Sequence, residues 1–541
     1  MKKILFVILI IAFAVRIVGI GYGLPLWLVA DEPPFVLGVL KMIELKTVIP
    51  RFHLEEFRSV LYYPPYISYF YLPFFSSMLA VKYLSFEGDR GPFINYLGAD
   101  LSDFFMVARF LNIILAVFSV FLVYRVAKNI FKDEWIGLAS AFFLGTSSLH
   151  ILLSMTSRQW LAVSFIYILV LYFLTAPSLS LKKRYFLAVL TAGIGMGISA
   201  ISAVALVLIK FYYLFFEEKK ISELLREKFF YLLAAAILFL IVLPLWLYPA
   251  SIGFQGKISI FDSKSLGGFL LSPFVFFKSL LFAEPVLMLF FTLGLIFVFF
   301  RNRKLFWTSL IFLSVYSFVF YFAFRFEDRF LTPILPMIAI LAGFGFVQLF
   351  RRLPTGQAGW KFSVILLVLP LIFSLRLGYL AYQNDSRANL RNWIEKNIPE
   401  GSKVLVSARL MRLSSNAYAI REQEALDSGS LRQVDRSEAH FGKSPIYPSF
   451  HALNLYSMEN KNFPFDKYAS NYEYLVLPKL DYRKDAELHE KFQQLGDMGS
   501  LVASFGEDAD FSISESKLGK NPLRLLETKM LGPAVSLYRI K

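Results

Sequence analysis

The segment Ala30-Asp31-Glu32-Pro33-Pro34 places two adjacent carboxylates about ten residues beyond the end of the first apolar run. Carboxylates held at a membrane surface carry a desolvation cost, and that cost makes one of them a stronger general base. A solvated turn closed by two prolines has the same composition, so the spacing alone leaves both readings open. Tyr62-Tyr63-Pro64-Pro65-Tyr66 follows. Its rings suit an anchor at headgroup depth, and Tyr63 is also placed to meet a substrate. A third group is basic where basic residues should be scarce: Arg109, Arg158, Lys257, Lys264, Lys278, Arg325 and Arg329 all fall at or near the predicted outer surface. Arginine meets phosphate as a bidentate fork and lysine as a point charge, so together they suit an anionic lipid headgroup. Each one singly also fits a side chain snorkelling to the headgroups. The stretch Arg325-Phe-Glu327-Asp328-Arg329-Phe-Leu-Thr-Pro333 forms a charged turn leading into a helix opened by Pro333 and Pro336.

Other chemistries lack residues. There is no cysteine, so thiolate catalysis, disulfides and Cys-ligated metals are excluded. The five histidines, His53, His150, His440, His451 and His489, have no HxxxH or HExxH spacing. The carboxylates are compatible with a divalent cation but do not require one, and no metal ligands are assigned.

These side chains must be positioned by a membrane fold. Of 541 residues, 57% are hydrophobic and only 18% charged, against about a quarter charged in a soluble domain. Several runs approach the ~20 apolar residues that span a bilayer, and in lipid such runs can only be helices. Eleven spans are predicted, over 4–20, 104–124, 135–153, 160–176, 185–198, 200–216, 229–249, 285–300, 305–324, 330–350 and 361–380. Residues 66–84 are also long enough to cross. Reading them as a juxtamembrane or re-entrant helix puts every basic loop cluster, from Arg125-Lys128-Lys132 to Arg351-Arg352, on the cytoplasmic side. The N-terminus is then cytoplasmic and the C-terminus outside. The outer regions are 21–103, the 154–159 turn, the 250–284 loop, the Arg325–Arg329 turn and the tail.

The net charge of +16 is a membrane feature rather than a nucleic-acid footprint. Residues 385–541 hold 22 Lys+Arg against 21 Asp+Glu, leaving 34 against 19 for the rest of the chain. No nucleic-acid partner is expected. The chain therefore divides into a membrane domain, 1–384, and an extracytoplasmic soluble α/β domain, 385–541. In the latter, 403–407, 472–477, 501–505 and 535–540 read as strands. Glu487–Leu495 reads as a helix, and 411–470 as loops lying on the membrane domain. No internal repeat is visible.

The order of these features resembles the GT-C superfamily of polyprenyl-phosphate-sugar-dependent glycosyltransferases, in the branch of protein O-mannosyltransferases and the lipid A aminoarabinose transferase. The matching residues begin with Asp31-Glu32 after one helix and Tyr63-Pro64-Pro65 before an interfacial helix. Arg109-Phe-Leu-Asn112 opens a helix ending in Tyr124-Arg125-Val-Ala-Lys128, and Ser157-Arg158 follows the next span. Arg325…Arg329-Phe-Leu-Thr-Pro333…Pro336, Asp385-Ser-Arg387…Trp393-Ile394 and Leu531-Gly-Pro533…Tyr538-Arg-Ile540 complete the series. One departure stands out: relatives often carry an acid shortly after the arginine matching Arg158, whereas Gln159-Trp160 follows here.

The resemblance implies a polytopic GT-C-like fold of about eleven transmembrane helices plus interfacial helices. It implies a plasma-membrane enzyme that moves a sugar, with inversion, from a polyprenyl-phosphate donor to a protein, lipid or glycan acceptor. Asp31 would take the acceptor proton, with Glu32 orienting it or binding sugar hydroxyls. Arg158, Arg325 and Arg329 would stabilise the leaving phosphate, with Lys257 or Lys264 in support, and the soluble tail would shape acceptor access. Two other readings stay open. A transporter or lipid flippase would place ionisable residues in mid-membrane, whereas the acids here gather outside the spans. A GT-C-fold scaffold without activity is compatible with the missing acid after Arg158.

Overall fold

The computed structural model describes residues 1–217, 228–250, 266–323, 327–352, 357–426, 446–455, 464–479, 486–507, 513 and 523–541. Helices dominate, and each of the eleven predicted spans falls on one or two of them. Ser102–Phe131, Arg303–Phe320, Asp328–Phe350 and Ile365–Tyr382 are long and apolar enough to cross a membrane, and five shorter apolar helices accompany them among the described residues. The chain is thus a multi-pass helical membrane protein.

Two predicted elements differ in form. The span expected over 135–153 is broken into Glu134–Gly145 and Ser148–Ser154, bent by 59°. The sequence at the bend, Thr146-Ser147-Ser148, favours a cap over a continued helix: the Ser147 hydroxyl accepts from the His150 backbone N–H at 3.3 Å. Opposite charges hold the two broken ends. Arg16 donates to the carbonyls of Leu144 and Gly145, where the first helix leaves its acceptors unused, and Glu284 accepts from Ser147 and the Leu149 N–H at 2.8 Å each. Each charge opposes the partial charge of the helix end that it meets.

The second difference is a correction. Part of the expected 250–284 loop is a helix, Leu266–Ala283. Pro273, Ser272 and Lys278 interrupt its apolar run and hide it from a hydropathy reading, but a proline is tolerated where neighbouring helices satisfy the backbone. Phe276 and Leu280 are buried, and Phe276 sits against Tyr316 and Phe320 of the helix Arg303–Ala323.

Glycines set two close approaches. A Cβ on Gly294 would lie 2.0 Å from the Leu341 carbonyl, and one on Gly345 2.2 Å from the Phe290 carbonyl. Pro285–Arg301 and Leu335–Phe350 therefore cross backbone to backbone. At Gly197 a Cβ would lie 2.1 Å from the Tyr66 ring, whose backbone N–H donates to the Gly197 carbonyl. That contact seats the start of Tyr66–Leu84, the helix expected at 66–84.

The tail carries a five-stranded sheet of order β2-β1-β3-β5-β4, with β1 Lys403–Val406, β2 His451–Asn454, β3 Tyr474–Pro478, β4 Ser500–Phe505 and β5 Val535–Arg539. β2, β1 and β3 are parallel, while β5 runs antiparallel to both β3 and β4. Strand alternation sends Val404 and Val406 to the face covered by Leu390 and Ile394 of the helix Ser386–Asn397. Leu405 and Leu475 meet Phe492 of Ala486–Met498 on the other face. β2 and the helices Ala417–Leu426 and Phe465–Ala469 fall within 411–470, where loops are expected from the sequence. The four-residue strand His-Ala-Leu-Asn is too short to show alternation, and β1 supplies its pairing.

Two motifs far apart in sequence join the tail to the membrane part. Asp385, fully buried, accepts from the Tyr22 hydroxyl at 2.6 Å and forms a two-point pair with Arg387. Ser386 donates to Leu531 and Pro533 carbonyls, and Gly532, at φ +96, lies where a Cβ would strike Asp385.

Candidate active site

Glu32 and Arg109 form the base of the site. Both side chains are fully buried and joined through two bonds of 2.7 Å, Nε to Oε1 and Nη2 to Oε2. The remaining Nη1 of Arg109 donates to the carbonyls of Ile20 and Tyr22, closing the loop that follows the first helix. Glu32 Oε1 also accepts from the Ser157 N–H and hydroxyl at 2.8 and 3.0 Å. One carboxylate thus ties three separate segments: the loop after the first helix, the start of Ser102–Phe131 and residues 155–158. A buried charge is tolerated when it is paired and hydrogen-bonded in this way.

Residues 155–158 are held from the other side by Asn112. Its amide donates to the Thr156 carbonyl at 2.6 Å, and its oxygen accepts from Tyr71 at 3.1 Å. Arg109 and Asn112 stand three apart on one helix and so share a face. Arg158 is fully buried, and its Nε donates to the Ala30 carbonyl, one residue before Asp31. Burial, with the nearby Arg329 charge, lowers the Arg158 guanidinium to about 10, so it remains cationic near neutrality.

Asp31 sits on this platform with φ +60. Asp adopts that left-handed conformation more readily than most residues, and there the chain turns sharply before the helix Pro33–Glu44, opened by Pro33 and Pro34. The Asp31 side chain is 25% exposed, and Oδ2 accepts from Arg329 Nη1 at 3.0 Å. Arg329 Nε lies 2.7 Å from Glu327. The Arg329 turn is seated by aromatic packing: Phe330 meets Trp160 at 4.8 Å and Phe320 at 4.7 Å, and its carbonyl accepts from Tyr316. Tyr63 stacks on Phe35 at 5.0 Å, and Tyr62 lies 4.8 Å from Tyr63. Burial, together with the Asp31 charge, pushes the Tyr62 hydroxyl up to about 12 and that of Tyr63 higher still, so both stay protonated donors.

The structure therefore brings Asp31, Glu32, Tyr63, Arg158 and Arg329 together. Arg325, Lys257 and Lys264 lie outside the described residues. Lys278 is exposed on Leu266–Ala283. Gln159, which follows Arg158 where relatives often carry an acid shortly afterwards, is buried, and its side-chain oxygen has no partner among the described residues. Sequence reasoning missed Tyr71, whose only signal is its place on the helix that starts at Tyr66. It also read Arg109 as a surface cation rather than as the partner of Glu32. Among the described residues no three His, Asp or Glu side chains converge to hold a metal. The carboxylates of Asp31 and Glu327 are both drawn to Arg329 rather than to each other.

Residues 91–248 match the family profile of the dolichyl-phosphate-mannose-protein mannosyltransferases. That stretch contains Arg109, Asn112, Tyr124 and Ser157-Arg158, and the resemblance to the GT-C superfamily stands. Among solved structures, the chain is similar to ArnT from Cupriavidus metallidurans bound to undecaprenyl phosphate, with a TM-score of 0.46 at 10% identity over 99% of this chain and 97% of that one. It is also similar to the oligosaccharyltransferase AglB from Archaeoglobus fulgidus in complex with an inhibitory peptide and a dolichol-phosphate, at TM-score 0.48, 12% identity and coverage of 88% and 69%. Arabinofuranosyltransferase AftD from Mycobacteria gives 0.33 at 15% identity, covering 80% of this chain and 34% of that one. No protein of curated function is significantly similar in sequence.

Proposed function

We propose that the protein is a membrane glycosyltransferase that moves a sugar from a polyprenyl-phosphate donor to an acceptor hydroxyl, with inversion at the anomeric carbon. The observation that carries this reading is Asp31, a partly exposed carboxylate beside two arginines and two protonated tyrosines. The family match over 91–248 supplies the class of donor.

In this mechanism Asp31 takes the proton of the acceptor hydroxyl as its oxygen attacks the anomeric carbon. The bond from that carbon to the phosphate oxygen breaks, and the lipid phosphate leaves with the electron pair as a monoester dianion. The leaving group needs no proton, so the useful stabilisation is fixed positive charge that strengthens its interaction as the phosphate gains charge. Arg158 and Arg329 supply it. Arg329 holds Asp31 before substrate enters and can shift toward the phosphate. Glu32, buried and bonded to Arg109 and Ser157, keeps Asp31 and Arg158 in register rather than touching sugar. Arg325, Lys257 and Lys264 remain assigned to the lipid phosphate. The site faces the extracytoplasmic side, where the tail borders the acceptor path, and the N-terminus is cytoplasmic.

The test is transfer of label from polyprenyl-phosphate sugars in membranes with matched amounts of wild type, Asp31→Asn and Arg329→Met. Asp31→Asn is expected to abolish transfer, and Arg329→Met to lower it about 10²–10³-fold, the scale of losing one electrostatic stabiliser. Transfer by Asp31→Asn within a few-fold of wild type would overturn the base assignment.

A further inference from the structure

At the other end of the membrane part, the helices Pro285–Arg301 and Leu335–Phe350 run on past their glycine crossing. They leave a groove of about 450 Å³ lined by Ile296, Phe297, Phe300, Arg301, Phe344, Gln348 and Arg352. Asp328–Phe350 carries Arg329 at one end and this groove at the other, about 30 Å apart at 1.5 Å per residue. The groove is therefore remote from Asp31.

Its two arginines are exposed to a ligand. The Arg352 guanidinium lies 4.4 Å from the Phe297 ring centre, and that of Arg301 lies 6.0 Å from Phe344. A ring beneath the guanidinium orders it while leaving the N–H edge open. Neither arginine has a carboxylate or carbonyl partner among the described residues, whereas the adjacent Arg351 is spent on Asp133 at 2.6 Å. The Gln348 amide nitrogen is buried there and has no partner among the described residues. Two arginines and one amide line the groove and, among the described residues, no acid does, so a ligand with acceptor oxygens and negative charge suits it. The walls are apolar, and Phe300 and Ile296 are 78% and 47% exposed. On a membrane helix such faces meet acyl chains, not water.

We propose that this groove binds the phosphate headgroup of an anionic phospholipid in the leaflet opposite the Asp31 site, with its acyl chains along Ile296 and Phe300. Arg301 and Arg352 hold the phosphate oxygens, and Gln348 donates a third bond. The proposal does not depend on the transferase reading.

The test uses the purified full chain, delipidated in a neutral detergent. Native mass spectrometry measures retention of phosphatidylglycerol against phosphatidylcholine. Wild type is expected to keep one phosphatidylglycerol and no phosphatidylcholine. Arg301→Gln with Arg352→Gln should weaken binding about thirtyfold, from roughly fivefold per arginine at a membrane surface. Gln348→Leu should weaken it less, and Lys182→Gln with Lys183→Gln, at the exposed basic start of the helix Leu181–Met196, should leave it unchanged. Equal retention of phosphatidylcholine, wild-type binding by the arginine variant, or an equal loss from the lysine variant would each overturn the site. Displacement of the lipid by millimolar soluble glycerol phosphate would assign the groove to a free phosphate instead and would refute the lipid assignment.

Discussion

The Glu32–Arg109 pair gives the sharpest prediction. Both side chains are fully buried, and Glu32 accepts four bonds of 2.7–3.0 Å, two from Arg109 and two from Ser157. Removing one member leaves the other charge without a counter-ion, which costs about 3–5 kcal/mol. Arg109→Met additionally frees the carbonyls of Ile20 and Tyr22, so it belongs at the upper end. Glu32→Gln keeps an oxygen for Ser157 but strands the guanidinium. The double variant carries no charge at this pair, and its side-chain oxygen still serves Ser157. It should therefore be more stable than the sum of the single losses predicts, by roughly 2–3 kcal/mol, within the range seen for directly bonded pairs. The assay is reversible unfolding in detergent of wild type, both single variants and the double variant. Transfer activity should be lost in all three, because Ser157 and Arg158 are positioned through this pair. Losses that add to within about 0.5 kcal/mol would refute the claim that the two charges compensate each other.

Two further predictions concern packing. Gly294→Val pushes a side chain into the Leu341 carbonyl at the tightest helix crossing, and it should cost about 1–3 kcal/mol or more, read as a lower unfolding midpoint and reduced yield. An unchanged midpoint would mean that the helices can part freely. Asp385→Asn removes the charge that holds Arg387 and weakens the acceptor of Tyr22, leaving the arginine buried. The tail should then become more readily cleaved by protease while the membrane part stays intact, with a cost of about 1–3 kcal/mol. Cleavage at the wild-type rate would show that the tail is held by other contacts, such as those of Arg376 to the carbonyls of Leu525 and Thr528.

What the sequence by itself determined is whatever depends on local composition. Apolar runs too long for a soluble core place the helices, because lipid offers the backbone no partner outside its own segment. Short apolar runs rich in β-branched and aromatic residues over 403–407 and 472–477 place β1 and β3, which are buried on both faces. Asp31 stands out as a carboxylate outside the spans, but its spacing fits a solvated turn equally well, and only the family resemblance singles it out as a candidate base. The helix Leu266–Ala283 and strand β2 were not legible. Polar residues and a proline dilute the first, and the second exists only because β1 offers its edge. Tertiary structure alone decided how the charges divide their work. Glu32 and Asp31 are neighbouring carboxylates, yet one is fully buried under Arg109 and the other is open to Arg329. No local pattern distinguishes them, because the difference arises from which distant segments close over each carboxylate. The same holds for Arg351 and Arg352: one finds an acid across the helix pair, and the other faces a groove that lacks one.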